Sequence, residues 1–471
     1  NELLDKSKST DCLPDYINYN GKKISSTLDI LDGLNSHFSS VGARVSNSIG
    51  QTHTKHTDYL REIIDSRFEF RTVELSEVNN IIKNDLKDKK SSGHDKISSH
   101  IVKKLKDVLC APLTYLINQS ISTGLFPHSL KTAKVKALFK KGDIHDPGNY
   151  RPISLLPAFS KIFEKALLKQ LVDYFDRNLL LYSSQYGFRK AHSTEHAILE
   201  LMDKINLLMD KGKSPFSIFI DLSKAFDCLD HGILIDKIKH YGVTGKALEL
   251  LTNYLSNRQQ FTHFESIDSN KVAITTGVPQ GSILGPFFFL LYMNDFSKCS
   301  QLFSAINYAD DTVLSSTMST FGSLPPEGDI NIELEKVSDW LKANKLCVNA
   351  GKSKVMFFSS INRTRPLPNI RFGETILEQV EEFNYLGVII SRDLKWDKHV
   401  KSVSARVSKT IGILKRIKNT VPQHVLKLIY QSLIACRFEY GILAWGGALS
   451  KLVKVQKKAM RIIVKAKYNA H

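Results

Sequence analysis

Two segments of the chain end a short apolar, β-prone run in aspartate, and this pattern restricts the fold more than any other feature. Residues 217–227 read SIFIDLSKAFD and carry Asp221, and residues 307–314 read NYADDTVL and carry Asp310 and Asp311. Each run predicts a strand, and the second predicts a hairpin with the two adjacent acids at its turn. Taken alone, Asp221 is also compatible with a helix N-cap, and the acidic pair with an ordinary surface turn.

Together the three aspartates have a clear chemical use. Like charges side by side are unfavourable unless a cation neutralises them. Transfer of a nucleotide to a 3′-hydroxyl uses two metal ions about 3.5–4 Å apart, one at the attacking oxygen and one at the leaving pyrophosphate. Carboxylate oxygens suit Mg²⁺, which binds through few carboxylates plus substrate phosphates. Three aspartates from two strand ends therefore indicate a two-metal nucleotidyl transfer site.

The rest of the chain predicts an α+β architecture. Between residues 217 and 392, short apolar runs end in polar turns, and we interpret them as strands separated by helices. The predicted strands are 217–220, 305–308, 313–315, 355–358 and 385–390. A helix is predicted over 160–177, where apolar residues recur on one face, and the region after Trp396 is predicted to be helical.

Charge indicates the kind of partner. The formal net charge is +18, and the last 77 residues carry 17 Lys and Arg against two acids, Asp397 and Glu439. A basic excess of this size favours polyanions such as nucleic acid. The longest apolar run, residues 286–293, is too short to cross a bilayer. Six scattered cysteines without a C-x-x-C pair suggest neither a zinc knuckle nor a redox pair, and an intracellular protein is expected.

Several further motifs, in order along the chain, resemble the reverse transcriptases of non-LTR (LINE-like) retrotransposons. They are SSGHDKI at 91–97, KKGD at 140–143, NYRPISLL at 149–156, QYGFR at 185–189, GVPQGSILGP at 277–286, residues 340–354, and FNYLG at 383–387. The likeness runs from about residue 86 to 392 and more loosely on both sides.

The resemblance implies a right-hand polymerase fold. It places a connector or N-terminal extension at 1–85, fingers at 86–216, a palm with a ferredoxin-like antiparallel sheet at 217–392, and a basic helical thumb at 393–471. The endonuclease usual in the family is not expected within about 85 upstream residues. Because the first residue is Asn, we expect the chain to be part of a longer product.

The resemblance also implies the metal site. Asp221 and Asp310 would be the principal ligands and Asp311 a more peripheral one, and all three count as catalytic. Leu222 is included among the metal-binding positions. The expected cofactor is a pair of Mg²⁺ ions, with Mn²⁺ as an alternative.

Further residues acquire substrate-binding roles from the same resemblance. Phe226 would pack under the incoming sugar and exclude a 2′-hydroxyl, and Gln280 would contact the incoming nucleotide and its template partner. Arg151 and Lys136 are the cations proposed for the triphosphate, because basic side chains, and Arg in particular, suit phosphate recognition. Lys352 would protonate pyrophosphate. A core-packing role for Phe226 and a phosphate-free surface role for either fingers cation remain alternatives.

The expected partners are an RNA template, a DNA primer and dNTPs, without a membrane, in the nucleus and cytoplasm as the family implies. One alternative is a decayed polymerase fragment that binds RNA without catalysis. Another is a group II intron or telomerase type of polymerase, which would share the metal site. A third is a zinc peptidase, because His192, Glu195 and His196 fit the H-x-x-E-H pattern. The same stretch directly follows the QYGFR motif, which favours the polymerase.

Overall fold

The secondary structure comes from a computed structural model, which describes residues 13–50, 52–60, 66–316, 326–359 and 368–466. The helices are α1 (Thr27–Ser48), α2 (Leu75–Asn80), α3 (Ser99–Lys104), α4 (Lys106–Thr123), α5 (Ala158–Arg177), α6 (Thr194–Asp210), α7 (His231–His240), α8 (Gly245–Leu255), α9 (Gly285–Met293), α10 (Glu327–Ala343), α11 (Asp397–Ile417), α12 (Gln423–Tyr430), α13 (Cys436–Glu439), α14 (Ile442–Trp445) and α15 (Val453–Ile463).

The strands are β1 (Ile17–Tyr19), β2 (Lys22–Ile24), β3 (Thr132–Phe139), β4 (Tyr150–Leu155), β5 (Phe216–Ile220), β6 (Arg258–Phe264), β7 (Ile267–Asp268), β8 (Val272–Ile274), β9 (Phe303–Tyr308), β10 (Asp311–Ser316), β11 (Lys354–Phe357), β12 (Arg371–Phe372), β13 (Thr375–Ile376), β14 (Glu378–Gln379), β15 (Glu382–Tyr385) and β16 (Val388–Ser391). The fold is therefore a mixture of helices and sheets, as the sequence predicts. Within the described ranges, no helix is both long enough and apolar enough to cross a lipid bilayer.

The chain divides into two units. Unit 1 comprises Asn1–Ser183, Leu222–Cys299 and Lys336–Val348, and unit 2 comprises Ser184–Asp221, Ser300–Glu335 and Asn349–His471.

Unit 1 contains a five-stranded sheet in the order β4-β3-β6-β7, with β8 also paired to β6. Helix α1 lies against this sheet, and Ile30, Leu34 and Phe38 pack with Val135 and Tyr150 in one buried cluster. The polar side of the same contact is satisfied, because the Asn35 amide donates to the carbonyl oxygens of residues 260 and 270 at 3.3 and 2.8 Å. Helix α1 is thus part of the packed unit, together with Ile17 of β1.

Unit 2 contains the sheet that carries the aspartates, in the order β14-β11-β5-β10-β9. Its pairs are antiparallel except for β11 with β14. All five residues of β5 are buried, as expected for a central strand. Side chains of β5, β9, β10 and β11 join those of α6 and α11 in one core; its members include Leu201, Phe219, Ile306, Val313, Met356, Val403 and Trp445.

Most predicted elements are confirmed within a few residues, and one is wrong. The helix predicted over 160–177 is α5, and the strands predicted at 217–220, 305–308, 313–315 and 355–358 are β5, β9, β10 and β11. The single strand predicted at 385–390 is instead the last residue of β15, a two-residue turn and most of β16. Leu386 and Gly387 both have positive φ, 47° and 89°, and so reverse the chain between Tyr385 and Val388.

Candidate active site

Asp221, Asp310 and Asp311 lie at one end of the unit 2 sheet. Strand β5 ends at Ile220, which pairs with Thr312, and the same register continued by one residue sets Asp221 opposite Asp311. Tyr308 pairs with Asp311 across the β9–β10 hairpin, so Ala309 and Asp310 form its turn. Directly opposed residues of antiparallel strands have Cα atoms about 4.5–5.5 Å apart. The hairpin turn predicted for the acidic pair is confirmed, and its acids sit beside Asp221.

The three carboxylates share one electrostatic environment. The pKa of Asp311 is raised to about 6, first by desolvation and then by the negative charges of Asp310 and Asp221. Asp221 and Asp311 line a cavity of about 70 Å³ together with Lys352, Phe383 and Tyr385. The cluster therefore holds excess negative charge at a small cleft, which a cation would neutralise.

A loop after α10 fixes the backbone of Asp221. The Asp221 amide donates to the Ser353 hydroxyl oxygen at 3.1 Å, and the Asn349 amide donates to the Asp221 carbonyl oxygen at 2.8 Å. The Ser353 hydroxyl in turn donates to the Asn349 carbonyl oxygen at 3.0 Å. The same loop brings the Lys352 ammonium to 3.7 Å from an Asp221 carboxylate oxygen, with both side chains well exposed. The structure thus places Lys352, which is expected to protonate pyrophosphate, beside the Asp221 carboxylate.

The QYGFR segment supports the hairpin turn. Ala309 has a φ of +56°, an unfavourable conformation for a residue with a Cβ. The buried Gln185 side-chain oxygen accepts the amides of Gly187 and Ala309 at 3.1 and 3.3 Å. A Cβ on Gly187 would lie 2.3 Å from the Ala309 nitrogen, so only glycine permits this approach. Sequence reasoning gave Gln185 no role of its own; the local signals were its place in the QYGFR motif and Gly187 two residues later.

The donor set fits a hard divalent cation in its chemistry. Among the described residues, no group of three or more His, Cys, Asp or Glu side chains forms a metal cluster by itself. Mg²⁺ does not need one, because it is commonly held by one or two carboxylates while substrate phosphates and water complete its coordination. The adjacent carboxylates at the ends of β5 and β9–β10 meet that requirement.

The sequence of the chain matches a known protein family. A sequence model described as "Reverse transcriptase (RNA-dependent DNA polymerase)" matches residues 139–390, more than half of the 471 residues. The chain belongs to this reverse transcriptase family.

Individual relatives agree with the family assignment. The chain is 29% identical over 387 residues to a probable RNA-directed DNA polymerase from transposon X-element of Drosophila melanogaster, covering 79% of this chain and 42% of that protein. It is 26% identical over 423 residues to the RNA-directed DNA polymerase from mobile element jockey of the same species, covering 86% and 45%. The resemblance to polymerases of non-LTR retrotransposons is confirmed. The chain spans less than half of the length of these two relatives.

Other residues singled out in the sequence lie in unit 1. Leu222 is buried and bridges to Val348 in an isolated β-pair. Phe226 is half-buried and stacks on Phe289, with ring centroids 4.5 Å apart and an interplanar angle of 19°. The stacking supports a packing role for Phe226 and is compatible with one ring face meeting a ligand.

Gln280 lies beside an acid that was not among the predicted site residues. Its amide nitrogen donates to an Asp227 carboxylate oxygen at 2.9 Å, and both side chains line one cavity of unit 1. Burial raises the pKa of Asp227, while the Gln280 hydrogen bond and the Lys224 charge oppose that shift. The sequence signal for Asp227 was its place at the end of SIFIDLSKAFD.

The two predicted triphosphate-binding cations are neighbours in the unit 1 sheet. Arg151 on β4 pairs with Leu138, and Lys136, two residues before Leu138 on β3, pairs with Ile153. Side chains two residues apart on a strand, and those directly opposite, share a sheet face. Arg151 and Lys136 are therefore exposed cations on one face of this sheet.

The H-x-x-E-H string makes structural contacts within unit 2. The Glu195 carboxylate accepts the Gly441 amide at 2.6 Å, and the adjacent Thr194 hydroxyl accepts the Tyr440 hydroxyl at 2.9 Å. His192 contacts the Lys190 carbonyl oxygen through Nδ1. A general base committed to a backbone amide is poorly suited to activate water, so these contacts argue against a zinc peptidase.

Proposed function

We propose that this chain is an RNA-directed DNA polymerase that extends a DNA primer with dNTPs on an RNA template. The observation that carries the proposal is the meeting of Asp221 with Asp310 and Asp311 at one end of the β5–β10–β9 sheet. Family membership and the relatives named above support the same chemistry.

In the proposed mechanism, Asp221 and Asp310 are the principal ligands of two Mg²⁺ ions, for which Mn²⁺ can substitute. Asp311 binds more peripherally, and Leu222 has only its backbone carbonyl to offer. When bound, the ions lower the pKa of the primer 3′-hydroxyl and stabilise the charge of the leaving pyrophosphate. The Asp221 and Asp310 backbones stay fixed during this step, because Ser353, Asn349 and Gln185 hold the chain on either side.

Other residues act on the substrate in the proposal. Lys352 delivers a proton to the pyrophosphate, which suits an exposed ammonium 3.7 Å from Asp221. Phe226 blocks a 2′-hydroxyl, Gln280 contacts the nascent base pair, and Arg151 or Lys136 binds the triphosphate. Each role is open to test by single substitution.

We further propose the right-hand division of the chain given by the motif order. Its parts are a connector at 1–85, fingers at 86–216, a palm at 217–392 and a thumb at 393–471. The strand-rich stretch from β9 to β16 suits a palm, and the basic helices α11 to α15 suit a thumb that grips phosphates.

The decisive experiment is extension of a labelled DNA primer on an RNA template by the purified chain, with Mg²⁺ or with a chelator. Asp221→Asn and Asp310→Asn keep the size of the side chain and remove its charge. Each is expected to reduce extension at least about 100-fold, as for other groups that stabilise transition-state charge. RNA affinity should change by less than about twofold.

Asp203→Asn is the matched control, because Asp203 is an exposed acid on α6 in the same unit. It should leave extension unchanged. Full extension by both site variants would overturn the proposed site. Inactivity of the unmodified chain with intact RNA binding would instead support the decayed, RNA-binding alternative.

A further inference from the structure

Helix α1 packs closely against two loops of unit 1 around one carbonyl group. A Cβ on Gly42 would lie 2.0 Å from the Asp227 carbonyl oxygen and 2.5 Å from the Thr276 hydroxyl oxygen. A Cβ on Gly277 would lie 2.7 Å from the same Asp227 oxygen. Real Cβ atoms do not approach other heavy atoms so closely, and the absence of a Cβ in glycine is what permits these contacts. Three segments of the chain therefore meet at the Asp227 carbonyl group.

The two loops are those that carry Asp227 and Gln280. The Val278 amide donates to the Phe226 carbonyl oxygen at 3.1 Å, which ties the backbones of the loops together. The Gln280 side-chain amide donates to the Asp227 carboxylate at 2.9 Å, and both side chains line a cavity of about 30 Å³ whose lining also includes Ser39 of α1. A displacement of the Asp227 backbone would therefore move Gln280 as well.

Helix α1 is anchored to the sheet of unit 1. The Gln260 side-chain amide donates to the Asn35 side-chain oxygen at 3.1 Å, and the Asp32 carboxylate accepts the backbone and side-chain amides of Asn270 at 2.7 and 2.9 Å. Asn35 and Gly42 are both buried, and they lie on the same face of the helix because they are about two turns apart. The anchored face is thus the face that meets the two loops, and these hydrogen bonds oppose withdrawal of the helix.

We propose that α1, through Gly42, positions the Asp227–Gln280 pair and so sets how strongly the chain prefers a correctly paired dNTP. The proposal rests on the role proposed above for Gln280 at the nascent base pair. Gly42 is a positioning residue, because it acts through Asp227. Since Gln280 contacts the base pair and none of the reacting atoms, a shift of the pair should weaken nucleotide binding more than it slows the chemical step. The segment predicted as a connector therefore takes part in nucleotide selection.

The first test compares two Gly→Ala substitutions in α1. In Gly42→Ala, the new methyl group meets a backbone carbonyl oxygen and must displace it by about 1 Å, a shift large enough to affect function. In Gly33→Ala, which is also at a buried position, the nearest atom is the Ile17 Cδ1 at 2.9 Å, the end of a flexible side chain. Both substitutions raise helix propensity by the same amount, so they differ mainly in the pressure on Asp227.

Single-nucleotide extension of a DNA primer on an RNA template gives KM and kcat for the correct dNTP and for a mispaired one. Because a lost hydrogen bond can reduce affinity about tenfold, we expect Gly42→Ala to raise the KM of the correct dNTP about 5- to 10-fold, with kcat within about threefold. Discrimination against the mispaired dNTP should fall at least about fivefold. Gly33→Ala should leave all three unchanged, and equal changes in the two variants would overturn the proposal.

A double-mutant cycle tests whether Gly42 acts through Gln280. Gln280→Met keeps the length of the side chain and removes its hydrogen-bonding groups. Adding Gly42→Ala to Gln280→Met should change KM and discrimination by less than about twofold further, because the two substitutions disturb the same contact. Effects that multiply would show that Gly42 acts independently of Gln280, which would overturn the proposal.

A second pair of variants reaches the Asp227–Gln280 pair from the cavity and decides the question if Gly42→Ala does not fold. Ser39 lines the cavity and Ser40 does not, and both are half-buried in α1. Ser39→Val and Ser40→Val add the same bulk and the same β-branched side chain to the helix. We expect Ser39→Val to raise the KM of the correct dNTP at least about threefold through overpacking, and Ser40→Val to leave it unchanged. An equal KM in these two variants would overturn positioning by α1.

Hydrogen exchange gives a readout that needs no polymerase activity. In the absence of primer, template and dNTP, peptides covering residues 276–280 should exchange faster in Gly42→Ala than in Gly33→Ala, because the hydrogen bond from the Val278 amide to the Phe226 carbonyl oxygen is disturbed. Failure of the original chain to extend primers would count against the proposed function, while exchange would still test the position of the loop. Equal exchange in the two variants would overturn the contact on which the proposal depends.

Discussion

Replacement of Gln185 by methionine would test whether the hairpin turn at Asp310 is held from outside the strands. Methionine has nearly the same length and volume but no acceptor oxygen. In the structure, the Gln185 side-chain oxygen accepts hydrogen bonds from the amides of Gly187 and Ala309, and Gln185 is only 2% exposed. The substitution therefore leaves two amides without their acceptor.

The expected effect on stability follows from those two contacts. A buried amide left without a partner costs about 1–3 kcal/mol, so two would cost about 2–6 kcal/mol if nothing moved. Ala309 is strained, because a left-handed residue with a Cβ costs about 1–2 kcal/mol. Relaxation of the turn would recover that strain and expose the amides to water. We therefore expect the free energy of unfolding to fall by about 1–3 kcal/mol.

The effect on catalysis should be larger than the effect on stability. Relaxation at Ala309 moves Asp310, its neighbour in the turn, and a misplacement of about 1 Å in a reacting group can reduce a rate about 100-fold. We expect single-turnover primer extension by Gln185→Met to fall about 10- to 100-fold, with RNA affinity within about twofold of the original. Urea denaturation gives the stability and a binding titration gives the affinity.

Gln170→Met is the matched control for this substitution. The Gln170 side-chain oxygen also accepts a backbone amide, that of Arg71 at 2.9 Å, but it lies on α5 in unit 1. It should leave extension within about twofold. The reasoning fails if Gln185→Met extends primers as fast as the original chain, or if extension and RNA binding decline together, which would indicate loss of folded protein.

Three further predictions concern other residues. Lys237→Met should lower the free energy of unfolding, measured in urea titrations, by about 3–5 kcal/mol. The Asp295 carboxylate lies 2.6 Å from the Lys237 ammonium, and the substitution would leave it buried without a counter-charge. A loss smaller than that caused by substituting an exposed lysine with methionine would contradict this. Phe226→Ala should raise the ratio of kcat/KM for ribonucleotides to that for dNTPs at least about tenfold, and unchanged sugar discrimination would remove Phe226 from the site. Because the pKa of His399 is about 4 when folded and its ordinary value in an unfolded chain is 6.5, the unfolded state takes up the proton first. Stability should thus fall from pH 6.5 to 4, by at most about 3 kcal/mol from this group, and the slope should flatten in His399→Gln.

The strands and the acidic hairpin could be predicted from the sequence because their signals are local. Buried β5 reads as a mostly apolar run, and Asp310 and Asp311 separate the apolar runs of β9 and β10. The turn at Leu386 was not predicted, because local patterns cannot distinguish it: apolar residues on both sides of a two-residue turn resemble one longer strand. Gly387 was the available signal, and its positive φ explains why it stands there.

The supports of the site could not be predicted, because they join residues far apart in the chain. Gln185 lies 124 positions from Ala309, and Ser353 lies 132 positions from Asp221. Helix α1 is a similar case, because a Cβ on its Gly42 would lie 2.0 Å from the Asp227 carbonyl oxygen. From sequence alone, a segment rich in Ser and Asn resembles a connector, because the distant residues that its polar side chains contact are not known.

The supports around the aspartates share a property that bears on catalysis. Gln185, Ser353 and Asn349 contact backbone atoms of the acidic segments, so these bonds use none of the carboxylate oxygens that a cation would need. The raised pKa of Asp311 reflects, besides its burial, the mutual repulsion of the acids, which would otherwise drive the strand ends apart. Charge held in place before reaction needs no rearrangement at the transition state. Loss of any one support should therefore slow synthesis by more than its effect on folding would suggest.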